Sequence, residues 1–181
     1  PPRAALLPHI WLSDEEIRQG QRLLEQLPDK AGILIALHPY ATHPDKAWKE
    51  AYWRQLVELF ESRGIPWIVI GRGSCMEGFP HPAILPIAHP YVDMRIVEVL
   101  FLLITGDSGP MHLAGAVGTP VLALFGPTTE EWGFFPAGPK DRVLESQLDV
   151  ALSLHGKKHC DRNHACMQSI TPEQVMRALD E

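Results

Sequence analysis

Short apolar runs alternate with amphipathic segments along most of this 181-residue chain. Four of these runs are rich in Val, Ile and Leu, at residues 33–37, 67–70, 99–104 and 121–125. Continuous apolar runs of this length are typical of strands that are buried on both faces of a parallel sheet. The pattern therefore predicts an α/β fold, a Rossmann-like parallel sheet with helices on both faces.

Capping residues mark where several helices begin. Ser13 and Thr171 each precede a Glu or Gln by three residues, which predicts a helix start near each end of the chain. A third helix is expected at 50–63, with apolar residues on one face. The Pro-rich residues 1–12 are typical of a linker, so 13–181 is predicted to form the folded domain. Further signals predict short strands at 84–85 and 142–145 and a helix at 93–100.

The most informative segment is 105–127, TGDSGPMHLAGAVGTPVLALFGP. A buried strand ends here in a polar corner of Asp107, Ser108 and Gly109, and Pro110 then opens a short helix. Free backbone amides and the positive end of the helix dipole converge at such a corner, and both favour an anion. The corner is therefore a candidate phosphate or sugar-phosphate site. The alternative is a turn that Asp and Ser favour for local reasons alone.

Other polar residues are candidates to complete this site. Lys46 and Thr42 lie in the loop after the first strand, and ligands of such sheets bind beyond the carboxyl ends of the strands. Lys46 is a candidate pyrophosphate clamp and Thr42 a candidate hydroxyl donor. His112 falls on the first turn of the helix, and Glu77 could accept hydrogen bonds from ribose hydroxyls. For each of them the alternative is an ordinary solvated or packing residue.

Composition narrows the classes of function. A net charge of −6 argues against a nucleic-acid surface, and the three cysteines fit a reducing cytoplasm better than a disulfide framework. No apolar run approaches the roughly 20 residues that a transmembrane helix needs. His159, Cys160, His164 and Cys166 cluster in the sequence, but their spacing does not match common zinc sites. We therefore expect no metal and no other cofactor.

Three segments together resemble glycosyltransferase family 9, the ADP-heptose:lipopolysaccharide heptosyltransferases. Residues 38–48 (HPYATHPDKAW) are similar to the family's His-Pro strand end and Lys-x-Trp loop. Residues 106–128 are similar to its Asp-Thr-Gly-x-x-His-Leu-Ala helix and the Leu-Phe-Gly-Pro-Thr that follows, with Ser108 in place of threonine. Residues 166–175 (CMQSITPEQV) are similar to its closing segment. The resemblance extends over nearly the whole chain.

The resemblance implies the C-terminal half of a GT-B glycosyltransferase, the domain that binds the nucleotide-sugar donor. The donor would be ADP-heptose or another nucleotide-sugar, held without a metal. By resemblance, Lys46, Thr42 and the backbone of Ser108 and Gly109 would contact its diphosphate.

The remaining donor contacts follow from the same resemblance. Asp107 and His112 would lie near the donor sugar and phosphates, Glu77 near the ribose and Tyr91 near the adenine. The family's N-terminal domain, with the acceptor site and the proposed catalytic carboxylate, is not in this sequence. Residues 1–12 would be the linker from that missing domain.

The full-length enzyme is accordingly expected to transfer heptose to the lipopolysaccharide inner core, with inversion and without a metal. Its place would be the cytoplasm, compatible with peripheral contact at the inner face of the bacterial inner membrane. The isolated chain is expected to bind ADP or an ADP-sugar weakly and not to catalyse transfer. The alternatives are the donor domain of another GT-B enzyme, such as a UDP-sugar transferase or epimerase, and a non-enzymatic Rossmann-like scaffold.

Overall fold

The computed structural model describes residues 8–25, 34–41, 43–71, 84–86, 101–126, 135–148 and 165–181. Within them, six strands form one sheet in the order β3-β2-β1-β4-β5-β6, with every neighbouring pair parallel. The strands are β1 (Ile35–His38), β2 (Trp67–Gly71), β3 (Ile84–Pro86), β4 (Leu102–Gly106), β5 (Val121–Phe125) and β6 (Arg142–Glu145).

The order of the strands fixes where a ligand can bind. The chain runs outward from β1 to β3 on one side, then crosses over to β4 and runs outward again to β6. Open α/β sheets bind ligands beyond the carboxyl ends of the strands where the order reverses. In this sheet that place is the crevice between the carboxyl ends of β1 and β4.

In the same described residues, six helical segments connect and flank the strands. They are α1 (Asp14–Leu24), a short 3-10 helix (Pro44–Lys46), α2 (Glu50–Arg63), α3 (Gly109–Val117), α4 (Ala165–Gln168) and α5 (Pro172–Asp180).

Both predicted capping boxes are confirmed. The Ser13 amide donates to Glu16 Oε2 at 2.8 Å and the Glu16 amide donates to Ser13 Oγ at 3.3 Å. Thr171 and Gln174 form the equivalent pair at the start of α5. These reciprocal bonds satisfy amides that a helix start would otherwise leave without a partner.

Alternating side chains of the strands build a core on each face of the sheet. On one face, Leu37 and Val69 belong to a cluster that includes Trp53 and Phe60 of α2 and Val175 of α5. The other face has a cluster that includes Met111 and Ala114 of α3 together with six strand residues, Ala36, Ile68, Ile70, Leu103, Val121 and Ala123. Helices therefore cover both faces, which confirms the predicted fold class.

Strand β4 extends beyond the apolar run, up to the polar corner. Thr105 and Gly106 still pair with Ala123 and Leu124 of β5, so the strand ends at Gly106. The short strands at the two edges of the sheet are present as predicted, as β3 and β6. The helix expected at 93–100 lies outside the described residues.

A buried tryptophan fixes the loop that follows β1. Trp48 is 4% exposed and its indole Nε1 donates to the Ile170 carbonyl at 2.8 Å. Its ring also meets Trp53 edge to face, with centroids 4.8 Å apart. Because Trp48 is two residues beyond Lys46, these contacts hold the lysine-bearing loop against the body of the domain. Among the described residues, no helix is long and apolar enough to cross a membrane.

Candidate anion-binding site

The site is built where β1 and β4 end side by side. His38, the last residue of β1, pairs with Thr105 of β4, and the polar corner begins two residues later. Lys46 reaches the same place from the 3-10 helix, where its carbonyl oxygen lies 3.5 Å from the position of a Cβ built on Gly106. Residues that are about 60 positions apart in the chain are therefore adjacent at the crevice.

Lys46 and Asp107 form an ion pair, with the ammonium group donating to Asp107 Oδ2. The Lys46 side chain is 27% exposed and that of Asp107 is 11% exposed, so the pair is only partly accessible to water. Partial burial strengthens the attraction relative to a pair at the surface. The structure thus brings together two of the residues that the sequence nominated. An incoming anion would share Lys46 with Asp107.

The side chain of the N-cap residue does not cap the start of α3. Ser108 occupies the N-cap position with extended backbone, φ −151° and ψ 164°, but makes no side-chain capping bond. Gly109 is the first helical residue and Pro110, the second, has no amide hydrogen. A Cβ built on Gly109 meets nothing within 4 Å, so space is open beside this amide. Together with the helix dipole, this arrangement favours a negatively charged group.

Behind the corner lies a buried network of two hydroxyl groups and an imidazole. Thr105 is fully buried, and its Oγ1 lies 3.2 Å from His38 Nδ1 and 2.9 Å from Ser108 Oγ. The Thr105 hydroxyl also donates to the Gly106 carbonyl at 3.1 Å. Ser108 Oγ lies 3.4 Å from His38 Nδ1. Burial lowers the pKa of His38 to about 4, so this ring is neutral near pH 7.

Packing against a glycine holds the His38 ring in place. Gly71 ends β2 with φ +105°, which L side chains rarely adopt. A Cβ there would lie 2.6 Å from Tyr40 Cδ2 and 2.8 Å from His38 Cδ2. The His38 and Tyr40 rings meet edge to face with centroids 5.6 Å apart. Glycine is thus required at position 71 both by the positive φ and by the two rings that pack against it.

The structure describes some of the nominated residues and not others. His112 lies exposed on the first turn of α3. Thr42, Glu77 and Tyr91 lie outside the described residues, as do three of the four candidate metal ligands, His159, Cys160 and His164. The fourth, Cys166, is buried in the core. Within the described ranges no three His, Cys, Asp or Glu side chains converge as a metal site would require.

Thr105 is the functional candidate that sequence reasoning missed. In the sequence it is one polar residue at the end of an apolar run, and threonine is common in strands. Its role depends on the pairing of β1 with β4, which places His38 beside it. The sequence shows polar residues at two strand ends, but it does not show which strands are neighbours in the sheet.

Comparison with known sequences identifies similar proteins. A sequence profile described as glycosyltransferase family 9 (heptosyltransferase) matches residues 94–164. Lipopolysaccharide heptosyltransferase 1 of Pseudomonas aeruginosa is 35% identical over 148 residues, which is 75% of this chain and 40% of that protein. The chain spans less than half the length of the curated relatives it matches.

Solved structures share the fold. A glycosyl transferase family 9 protein of Veillonella parvula superposes with a TM-score of 0.76 at 22% identity, over 95% of this chain and 52% of that one. An Escherichia coli heptosyltransferase solved with ADP-2-deoxy-2-fluoro heptose superposes with a TM-score of 0.63 at 22% identity, over 89% of this chain and 47% of that one. The chain therefore has the fold of one half of a GT-B glycosyltransferase.

Proposed function

We propose that this chain, which belongs to glycosyltransferase family 9, binds the diphosphate of a nucleotide-sugar donor at the crevice between β1 and β4. The observation that carries the proposal is the convergence of a lysine and a helix N-terminus at this crevice. Lys46 supplies a positive charge, and the start of α3 supplies an amide and the helix dipole. A diphosphate is the group in a nucleotide-sugar that needs both.

The donor is ADP-heptose in this proposal. The relative from Pseudomonas aeruginosa is a lipopolysaccharide heptosyltransferase, and the similar Escherichia coli enzyme was solved with an ADP-heptose analogue. Glu77 then binds the ribose and Tyr91 borders the adenine, while Thr42 adds a hydroxyl donor to the diphosphate. His112, exposed one turn into α3, lies near the donor sugar and phosphates.

The chemistry assigned to this half of the enzyme is stabilisation of the leaving group. In heptose transfer an acceptor hydroxyl attacks the anomeric carbon, and the bond from that carbon to the β-phosphate oxygen breaks. Negative charge then builds on the departing ADP, where Lys46 and the Gly109 amide stabilise it. The proton of the acceptor hydroxyl must pass to a general base, which we assign to another part of the full-length enzyme.

This assignment gives different roles to two domains of the full-length enzyme. Residues 13–181 form the donor-binding domain and residues 1–12 link it to a second domain. The second domain holds the acceptor, the inner core of lipopolysaccharide, at the cytoplasmic face of the inner membrane. The isolated chain is then expected to bind the donor without transferring its sugar.

Calorimetric titration of the 181-residue chain with ADP, UDP and GDP tests the proposal. The expected result is saturable binding of ADP that is at least about tenfold tighter than that of the other two, a difference of roughly 1.4 kcal/mol. Preference for UDP would instead support a different GT-B donor domain. A folded sample that binds none of the three nucleotides would contradict the proposed function.

A further inference from the structure

We infer that Thr105 is a positioning residue: its hydroxyl, supported by His38, holds the Ser108 hydroxyl away from the first turn of α3, so that the diphosphate can approach the start of the helix. The identity of the ligand in this inference rests on the proposed function, whereas the geometry does not. The starting observation is that the Ser108 side chain, at the N-cap position, does not cap α3.

A serine at the N-cap position ordinarily caps its own helix. Its side-chain oxygen accepts a hydrogen bond from the second or third helical amide. In α3 the second position is Pro110, so the amide of Met111 is the target that remains. The Met111 amide donates to the Ser108 carbonyl, at 3.2 Å. The Ser108 side chain makes no capping bond.

Helix α5 of the same chain supplies the comparison. Its N-cap, Thr171, also has extended backbone, with φ −94° and ψ 156°, and a proline follows it in the first turn. The Gln174 amide donates both to the Thr171 carbonyl, at 3.1 Å, and to Thr171 Oγ1, at 3.3 Å. Both N-cap residues are extended, although their φ values differ by 57°, and only Thr171 caps its helix with its side chain. We attribute the difference to partners of the Ser108 hydroxyl outside the helix.

One such partner is Thr105, whose hydrogen-bonding capacity is filled by its neighbours. Its one hydrogen goes to the Gly106 carbonyl, which leaves its oxygen two acceptor positions. Thr105 Oγ1 lies 2.9 Å from Ser108 Oγ and 3.2 Å from His38 Nδ1, and Ser108 Oγ lies 3.4 Å from the same nitrogen. These contacts hold the Ser108 side chain towards the ends of β1 and β4. The His38 ring packs against Tyr40 and Gly71, which keeps it in place beside Thr105.

The consequence concerns competition for the helix start. If the Ser108 hydroxyl were released, it could rotate about χ1 and accept from the Met111 amide, as Thr171 does in α5. Its oxygen would then stand where a phosphate oxygen must approach. An internal cap would thus keep an external anion away from the start of the helix.

The test uses three variants of the chain that alter Thr105 and Ser108. Thr105→Val keeps the shape of the side chain but removes the hydroxyl, Thr105→Ser keeps the hydroxyl, and Thr105→Val combined with Ser108→Ala removes the released cap as well. We measure ADP affinity by calorimetry and exchange of the Met111 amide hydrogen without nucleotide. Thermal unfolding verifies that each variant is folded.

Thr105→Val is expected to bind ADP about fivefold more weakly, which corresponds to the approximate strength of an N-terminal cap. Exchange of its Met111 amide is expected to slow by a similar factor. Thr105→Ser should stay within about twofold of the parent chain, and the double variant should recover most of the lost affinity.

A purely structural role for Thr105 predicts a different pattern. The double variant would then bind ADP no better than Thr105→Val, and Met111 exchange in Thr105→Val would match that of the parent. Either result overturns the inference. The exchange measurement needs no ligand, so it decides the inference even if the parent chain binds no nucleotide and the proposed function fails. If Thr105→Val does not fold, the same comparison with His38→Leu, which removes the imidazole that supports Thr105, decides it in the same way.

Discussion

At the scale of single residues, the site depends on a histidine that is neutral because it is buried. His38 is 8% exposed, and burial lowers its pKa from 6.5 to about 4. The unfolded chain binds a proton at this residue below about pH 6.5, whereas the folded chain does so only near pH 4. His38 therefore makes no pH-dependent contribution above about pH 6.5. As the pH falls below that value, the free energy of unfolding decreases.

We predict a loss of about 2.5 kcal/mol of unfolding free energy from this source between about pH 7.5 and pH 4.5. Urea denaturation of the parent and of His38→Asn, which does not titrate, measures it as the difference between their pH dependences. His9→Asn is the matched control, because it makes the same substitution at an exposed histidine. Equal pH dependence in the parent and His38→Asn would show that the buried ring is not the cause.

The polar corner could be recognised from its residue types, but the hydrogen-bond partners of those residues could not be predicted from the sequence. The run of Asp107, Ser108 and Gly109 before a proline indicated an anion site because each residue type has a local reason to be there. The ion pair of Asp107 with Lys46 is a contact across 61 positions. Local preferences carry no information about such a contact.

At the scale of elements, the two glycines of α3 have opposite effects. Gly118 ends the helix with φ 83°, in the left-handed region, whereas Gly115 lies within the helix and a Cβ there meets nothing within 4 Å. We predict that Gly115→Ala raises the free energy of unfolding by about 0.5–1 kcal/mol, because alanine has less freedom to lose on folding. Gly118→Ala should lower it by about 1 kcal/mol through backbone strain.

Chemical denaturation of both variants checks this pair directly. The two substitutions add the same methyl group to the same element, so each is a control for the other. Destabilisation by Gly115→Ala would mean that the space beside α3 is filled. A neutral Gly118→Ala would mean that the helix end relaxes without strain.

Element types and helix ends were predictable because their signals are local. Gly64, Gly118 and both capping boxes act within four residues of the position they determine. The extension of β4 to Gly106 was not predictable in this way. It depends on pairing with β5, and the apolar pattern stops before Thr105 although the strand continues.

At the scale of the whole molecule, strand order explains why one crevice collects the site. The neighbours β1 and β4 are separated in sequence by β2 and β3, and their carboxyl ends supply His38 and the polar corner. The sequence predicted that strand ends would carry the ligand. It did not predict which two ends would meet, because alternation of strands and helices is compatible with more than one order.

The central claim is that the crevice binds a diphosphate through Lys46. Calorimetric titration with ADP of the parent, Lys46→Met, Asp107→Asn and Lys49→Met tests it most directly. Lys49 lies three residues from Lys46 and packs over the Tyr52 ring, so its replacement removes the same charge near the site but not within it. Thermal unfolding of each variant verifies that it is folded.

We predict that Lys46→Met weakens ADP binding about tenfold or more, as expected for a lost charge-assisted hydrogen bond. Asp107→Asn should bind ADP more tightly, because it frees Lys46 and removes a negative charge that opposes the diphosphate. Lys49→Met should remain within about twofold of the parent. Equal affinities of the Lys46→Met and Lys49→Met proteins for ADP would contradict the account.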